Sequence, residues 1–286
     1  MSILINKKTR AIVQGITGNH GRFNTLKMLE AGTKIVAGVS KNREVKYVEN
    51  IPVYLTVKEA LKKHKAEWSV IFVPAKFAKD AAIEALENNL NIVIITEEMP
   101  VHDVIEIVNI ANKKNLTVIG PNCPGIFSIG ESKLGIIPNN IVKKGDVGII
   151  SRSGTLTYEV ISHLSKNNLG QSTAVGIGGD MVIGSNFIKL LKMFEKDKDT
   201  KRIVIVGEIG GELEEKTAEF LKKSKFKKNV VAYITGVSAQ EGKRMGHAGA
   251  IITGNKGTAA SKIKAFESAG IKVAKVPSEI IKLLKH

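Results

Sequence analysis

The chain has 286 residues, 43% apolar and 24% charged, with one cysteine, Cys123, and a formal charge of 43 − 27 = +16. That length suits two domains with their own cores, and a single thiol excludes an internal disulfide framework and a multi-cysteine metal site. No apolar run approaches the ~20 residues of a membrane span, and the opening MSILINKKTRAIVQG carries no signal-peptide core, so a cytoplasmic protein is expected. In chain order, β-branched runs predict strands at 10–14, 34–39, 70–73, 91–95 and 116–119. Amphipathic stretches between them predict helices at 21–31, 57–64, 76–88 and 101–113. Nearly continuous apolar strands alternating with helices imply a parallel sheet covered on both faces.

Residues 120–140 break this rhythm and hold three of the seven prolines, which reads as an ordered interdomain connection. The alternation then restarts, with strands predicted at 147–151, 171–176, 202–208, 229–234 and 272–274. Helices are predicted at 155–166, 184–195, 212–224, 256–269 and 278–285. The whole is an α/β chain of two doubly wound units, divided as residues 1–121, a connection at 122–144, and residues 145–286. In such sheets ligands bind beyond the carboxyl ends of the strands.

The positive charge admits nucleic-acid binding. Yet the chain has no basic tail, no Cys/His finger and no aromatic-studded basic strand, and arginine is scarce beside lysine. A lysine-rich surface with affinity for small anions is the expectation.

Two strand-to-helix turns are built for anions. The first, GITGNHG at Gly15–Gly21, exposes backbone N–H groups at a helix start. Its G-x-x-G-x-x-G spacing differs from the dinucleotide fingerprint. The second predicted strand ends in Ser40-Lys41-Asn42-Arg43, where an NAD site wants an acid. Two cations there favour a ligand with an extra ribose phosphate, and NADP and coenzyme A both qualify. Further strand ends bring Pro74, Ile95-Thr96-Glu97 and Asn122-Cys123 to the same rim. Cys123 reads as a small packed residue, since no helix start or basic neighbour in its immediate sequence lowers its pKa.

The second anion turn is Arg152-Ser153-Gly154-Thr155, where Ser153 or Thr155 caps the next helix. Downstream, His247 lies in KRMGHAGAIITGNKG, flanked by Lys243, Arg244 and Lys256. An accessible imidazole near cations is a competent phosphate acceptor. Such a histidine needs an acceptor on its other ring nitrogen, and Glu208, at a predicted strand end before two glycines, is placed for it. A helix-start acid is the plainer reading of Glu208.

Taken together, GITGNHG, IGPNCPG, SRSGTLTYE, GIGGD, GEIGG and GKRMGHAGAII resemble the NDP-forming acyl-CoA synthetase family, in particular its succinyl-CoA synthetase alpha chains. The resemblance spans essentially the whole chain. It implies a Rossmann-like CoA-binding domain followed by a flavodoxin-like domain. It implies a phosphohistidine at His247 oriented by Glu208, with phosphate held at Ser153, Gly154 and Thr155, and an acid-substrate contact at Tyr158. Coenzyme A would touch Thr17, Gly18, Asn19, His20, Arg43, Ile95, Thr96 and Glu97, with Pro74 and Asn122 on the rim. The family commonly has Lys where Arg43 stands, and Ser-Gln where Asn19-His20 stands.

The resemblance further implies a separate beta subunit that carries ATP or GTP and Mg²⁺, in a heterodimer or a dimer of heterodimers. The implied activity is succinate–CoA ligation in the tricarboxylic acid cycle. Acetate- and malate-using relatives share the chemistry. An NADP-dependent oxidoreductase and a non-catalytic CoA-binding protein are the contrasting readings.

Overall fold

The computed structural model describes residues 2–239, 242, 245–252 and 257–285. The first unit runs β1 (Arg10–Gln14), α1 (Asn19–Glu30), β2 (Lys34–Val39), β3 (Tyr47–Val48), β4 (Ile51–Tyr54), α2 (Val57–Lys63), β5 (Trp68–Ile71), α3 (Ala75–Glu87), β6 (Asn91–Ile94), α4 (Val101–Lys113) and β7 (Val118–Ile119). Its sheet has the order β3-β4-β2-β1-β5-β6-β7, parallel except for the β3–β4 pair. Val70, Val93 and Ile119 point into one core and Ile12, Ile71 and Ile92 into another. This two-faced burial is why the strands read as unbroken apolar runs.

The second unit contains β8 (Gly125–Ser128), β9 (Ser132–Gly135), β10 (Lys144–Ser151), α5 (Gly154–Lys166), β11 (Gln171–Gly176), α6 (Phe187–Lys196), β12 (Arg202–Glu208), α7 (Leu213–Lys223), β13 (Asn229–Thr235), α8 (Ala259–Ser268), β14 (Lys272–Ala274) and α9 (Glu279–Lys285). The strand order is β14-β13-β12-β10-β11-β8-β9. β8 and β9 form an antiparallel edge on an otherwise parallel sheet. Both units are therefore α/β, with helices covering mostly parallel sheets.

Residues 122–144, expected as a connection, are ordered but do more than connect: they supply that edge hairpin. All four residues of β8 and all four of β9 are buried. Their apolar–polar alternation is weak because polar Ser128 and Lys133 are buried too, so periodicity did not show them. Ser128 Oγ meets Thr173 Oγ1 at 2.9 Å, which satisfies both hydroxyls inside the sheet. The short pair β3–β4 also escaped the sequence pattern; Pro52 sits in it, tolerated in an edge hairpin.

Local signals set the helices. Ser153 caps α5 through the Leu156 N–H, Asn186 caps α6, and Thr258 caps α8. The residues buried along α5, including Val160, Ile161 and Leu164, fall at helical spacing. The two units share one apolar core, in which Val93 and Ile119 join Ile126, Val175 and Phe187. Ser185 Oγ donates to the Val118 carbonyl (2.7 Å) and Thr33 Oγ1 to that of Lys133 (2.7 Å), across the same boundary. This packing brings the carboxyl ends of both sheets to one cleft.

Candidate active site

The first anion turn closes as its glycines dictate. A Cβ on Gly21 would stand 2.1 Å from the Gly15 carbonyl oxygen, so only glycine fits this position of α1. The helix begins at Asn19, two residues earlier than expected, so Asn19 and His20 belong to its first turn and are exposed. Thr17 Oγ1 meets Ser40 Oγ at 2.7 Å, pinning the turn to the end of β2. A cavity of about 410 Å³ opens beside it, lined by Thr17, Gly18, Ser40, Lys41, Pro74 and Phe77 among others.

Arg43 does not line this cavity. It borders a separate pocket of about 100 Å³ with Lys46 and Tyr54, and Lys41 is the cation on the larger one. The reason is the turn after β2: Ser40 Oγ accepts the Asn42 N–H (3.1 Å), and Asn42 Oδ1 accepts the Glu44 N–H (3.0 Å). These bonds carry residue 43 toward β4.

A second cavity of about 820 Å³ continues along the rim, bounded by Asn19, His20, Phe72, Pro74, Thr96 and Glu97 among others. Strand β5 ends at Ile71, two residues short of expectation, so Phe72 and Val73 are lining residues and both cavities share them. Thr96 Oγ1 donates to the Val73 carbonyl at 2.7 Å and ties the ends of β5 and β6 together.

The third cavity, about 190 Å³, joins the two units. Ile95 and Glu97 stand on one side, Gly154, Thr155 and Tyr158 on another, and His247 closes it. Ile95, Glu97 and Ile136 also line the second cavity, so one trough leads from Lys41 to the imidazole. Asn122 and Cys123 form its floor, and Asn122 Nδ2 donates to Asp180 Oδ1 at 2.9 Å. Burial pushes the Cys123 thiol up to about 12, and the thiol donates to the Ile94 carbonyl, as a packed residue does. Burial likewise raises Tyr158 to about 12, so its hydroxyl stays protonated and able to donate.

His247 keeps 27% of its side chain exposed and donates Nδ1–H to Glu208 Oε2 at 2.7 Å. The ring lies over Gly179, where a Cβ would come within 2.2 Å of it. Glu208 is 4% exposed and sits at the end of β12, not at a helix start. Its hydrogen bond holds the His247 pKa above the ordinary imidazole value, against the opposing effects of burial and of Arg152; Asp180 adds a smaller upward pull. At the start of α5, Ser153 Oγ takes the Leu156 N–H and the Ser153 carbonyl takes that of Thr157. That leaves the amides of Gly154 and Thr155 as the helix-start donors beside the cavity these residues line. Lys243, Arg244 and Lys256 lie outside the described residues.

The geometry therefore brings His247, Glu208, Ser153–Thr155, Tyr158, Asn122 and Ile95–Glu97 together, and lines the trough with Thr17, Gly18, Asn19, His20 and Pro74. Sequence reasoning gave no role to Phe72, Ile136 or Asp180, and read Lys41 only as one of two cations after β2 and Arg152 only as part of the second anion turn. Phe72, Ile136 and Asp180 carry no local signal, because they matter only through residues far away in the chain.

Two family models match separate stretches of the chain. Residues 6–98 match the family model described as CoA binding domain, and residues 150–272 match the one described as CoA-ligase. The chain is thus a CoA ligase chain with a CoA-binding unit ahead of a ligase unit. It is 52% identical to succinate–CoA ligase [ADP-forming] subunit alpha 2 of Archaeoglobus fulgidus, over 99% of both chains. It is 51% identical to the corresponding alpha subunit of Staphylococcus aureus, over 98% of this chain and 93% of that one. The chain belongs to the succinate–CoA ligase alpha-subunit family. Among solved structures, ATP citrate lyase from Methanothrix soehngenii, in complex with citrate and coenzyme A, superposes with a TM-score of 0.89 at 27% identity. That match covers 99% of this chain and 50% of the lyase chain, so the present chain spans half the length of that neighbour. No helix among the described residues is long and apolar enough to cross a membrane.

Proposed function

We propose that this chain is the CoA-binding, phosphohistidine-bearing half of a succinate–CoA ligase. The observation that carries the reading is the His247 ring, held at Nδ1 by buried Glu208, in a cavity that also receives the start of α5 and the end of β6. With Nδ1–H directed at Glu208, Nε2 carries the lone pair of the neutral ring and is the nucleophile. It attacks the γ-phosphorus of a nucleoside triphosphate, the bond to the β–γ bridging oxygen breaks, and the diphosphate leaves. A carboxylate oxygen of succinate then attacks phosphorus and the P–N bond breaks, giving an acyl phosphate. The CoA thiol attacks the acyl carbon, and phosphate departs with the thiol proton.

The chain's own groups supply position and charge, which is most of what phosphoryl transfer requires. The Gly154 and Thr155 amides, at the positive end of α5, offset charge on the phosphoryl group. Glu208 keeps the imidazole in the productive tautomer and stabilises the cation formed as Nε2 bonds phosphorus. Tyr158 donates to the carboxylic acid. Coenzyme A lies along the trough, with the GITGNHG amides on its pyrophosphate, Lys41 beside its ribose phosphate, and its thiol end between Glu97 and Asn122.

The triphosphate and Mg²⁺ belong to a partner beta subunit, and the enzyme works in the cytoplasm. The 52% and 51% identities to alpha subunits, over nearly the full length, support the partner assignment. The test is to mix the chain with its beta subunit and γ-labelled ATP. Acid-labile label on this chain that succinate plus CoA discharges is expected. Undiminished labelling of His247→Asn overturns the reading.

A further inference from the structure

Behind the His247–Glu208 pair lies a second set of charges that the proposed reaction does not employ. Arg152 is 3% exposed, and Glu214 and Lys262 are not exposed at all. Arg152 is divided between two acids: Nε stands 3.3 Å from Glu208 Oε1, and Nη1 stands 3.3 Å from Glu214 Oε1. Glu214 Oε1 also accepts the backbone N–H of Glu208 at 3.2 Å. The other oxygen of Glu214 accepts a hydrogen bond from Lys262 Nζ at 2.5 Å. Lys262 completes its shell with Glu215 Oε2 at 2.9 Å and the Gly211 carbonyl at 3.0 Å. A continuous line of charge thus runs His247–Glu208–Arg152–Glu214–Lys262, from the cavity to the interior face of α8.

Burying these ions is costly, and an apolar cluster of equal volume would hold α7 to α8 as well or better. The arrangement acts on orientation and charge instead. Three carboxylates, Glu208, Glu214 and Glu215, face two cations, Arg152 and Lys262. One negative charge is left over, and His247 stands at the end where it acts. Arg152 and Glu208 reinforce the point: their facing atoms, Nε and Oε1, are buried and do not meet hydrogen-bond geometry with each other. The guanidinium is held off Glu208 by its bonds to Glu214 and to the Gly210 carbonyl, the latter at 3.3 Å.

We propose that Lys262 and Glu214 are positioning residues for the histidine chemistry: Lys262 satisfies Glu214, so that Arg152 is shared between Glu214 and Glu208, and this sharing sets how strongly Glu208 holds the His247 proton. The inference rests on His247 as the phosphoryl carrier. Removing the Lys262 cation lets Glu214 claim Arg152. Glu208 then loses its counter-charge, holds the imidazole proton more tightly, and leaves less neutral ring at a given pH. Removing the charge of Glu214 does the reverse, because Arg152 turns wholly to Glu208. Among the described residues, the other charged or titratable groups facing His247 are Asp180 from the β11–α6 loop, and Glu97, Cys123 and Tyr158 around the cavity. Lys262 faces Glu214 and Glu215 of α7. The substitutions alter none of the groups around His247 itself.

The experiment is an NMR titration of the His247 ring in the full chain, paired with the pH profile of kcat in the reconstituted complex. Lys262→Met is expected to raise the ring titration and the acid limb of kcat by about 0.5–1 pH unit, and Glu214→Gln to lower both by a similar amount. Lys262→Arg restores the wild-type values, and the KM for CoA stays unchanged throughout. Should Lys262→Met not fold, Glu214→Gln and the milder Glu215→Gln still carry the test through their downward shifts. Shifts of the same sign in Lys262→Met and Glu214→Gln, or folded variants whose ring titrates as in wild type, overturn the proposal. Failure of the wild-type complex to label His247 overturns the reaction instead, and the titrations then still decide the charge network.

Discussion

The chain has two strand-to-helix anion turns, and they are built differently. The turn between β1 and α1 is lined by glycine amides, Thr17 and apolar side chains, and its cations stand on the exposed corner after β2. The turn between β10 and α5 has buried ions directly behind it, with Arg152, Glu208, Glu214 and Lys262 all within a few per cent of full burial. The first can recognise a large, flexible ligand that carries several phosphate charges through backbone and shape, and release it. In the proposed reaction, the second keeps one imidazole in one tautomer while a phosphoryl group arrives and leaves. Fixed charge in a poorly screened interior does that, and exposed lysines in water do not.

The largest break between the two turns comes from His247→Asn. It removes turnover by at least about a thousandfold while leaving CoA affinity within about twofold, read by kinetics and calorimetry. A matching loss of CoA binding would mean that the turns are not separable.

Glu208→Gln keeps the shape and deletes the charge. It lowers kcat about 10–100-fold, with CoA binding again unchanged. It also moves the pH profile. The Glu208 hydrogen bond raises the His247 pKa, and the neutral ring is the nucleophile of the proposed reaction, so the wild-type rate is expected to fall as pH drops through that raised value. In the variant this acid limb shifts to lower pH. The same pair contributes stability that is complete below the ordinary imidazole pKa and is lost as pH rises through the folded-state value. Thermal melts across that range should show the loss in wild type and not in Glu208→Gln.

Beside the first turn, Lys41→Ala weakens CoA binding about tenfold and leaves dephospho-CoA unaffected, while Arg43→Ala changes neither. Equal losses for the two ligands would show that the corner does not read the ribose phosphate. The smallest effect is structural. Ser153→Ala removes the acceptor for the Leu156 N–H and costs about 1 kcal/mol, measurable as a lowered denaturation midpoint with no change at the first turn.

Much of this was legible in order along the chain. GITGNHG and SRSGTLTYE announce strand, turn and helix because glycine and cap residues act on their nearest neighbours. His247 stood out because no helical or strand pattern contains it. The residue at the other end of its hydrogen bond could be named only by topology, since Glu208 lies 39 positions away. Other features had no local trace. The β8–β9 edge hides because its buried polar residues erase the alternation. The turn that carries Arg43 away from the trough depends on the Ser40 and Asn42 side chains, and the line from Lys262 to His247 crosses α8, α7, the β10–α5 turn and β12.

By itself the sequence determined the class of fold and the two glycine-containing strand-to-helix turns, and it singled out the imidazole that we propose to be reactive. These follow from short-range rules: side-chain periodicity, glycine conformations and helix-end hydrogen bonding act within a few residues. Only the tertiary structure decided that the three cavities join into one trough, that Lys41 faces it in place of Arg43, and that a buried lysine stands two carboxylates and an arginine away from the histidine. Those are matters of distance between remote segments, and distance is what sets the strength of charge–charge interaction.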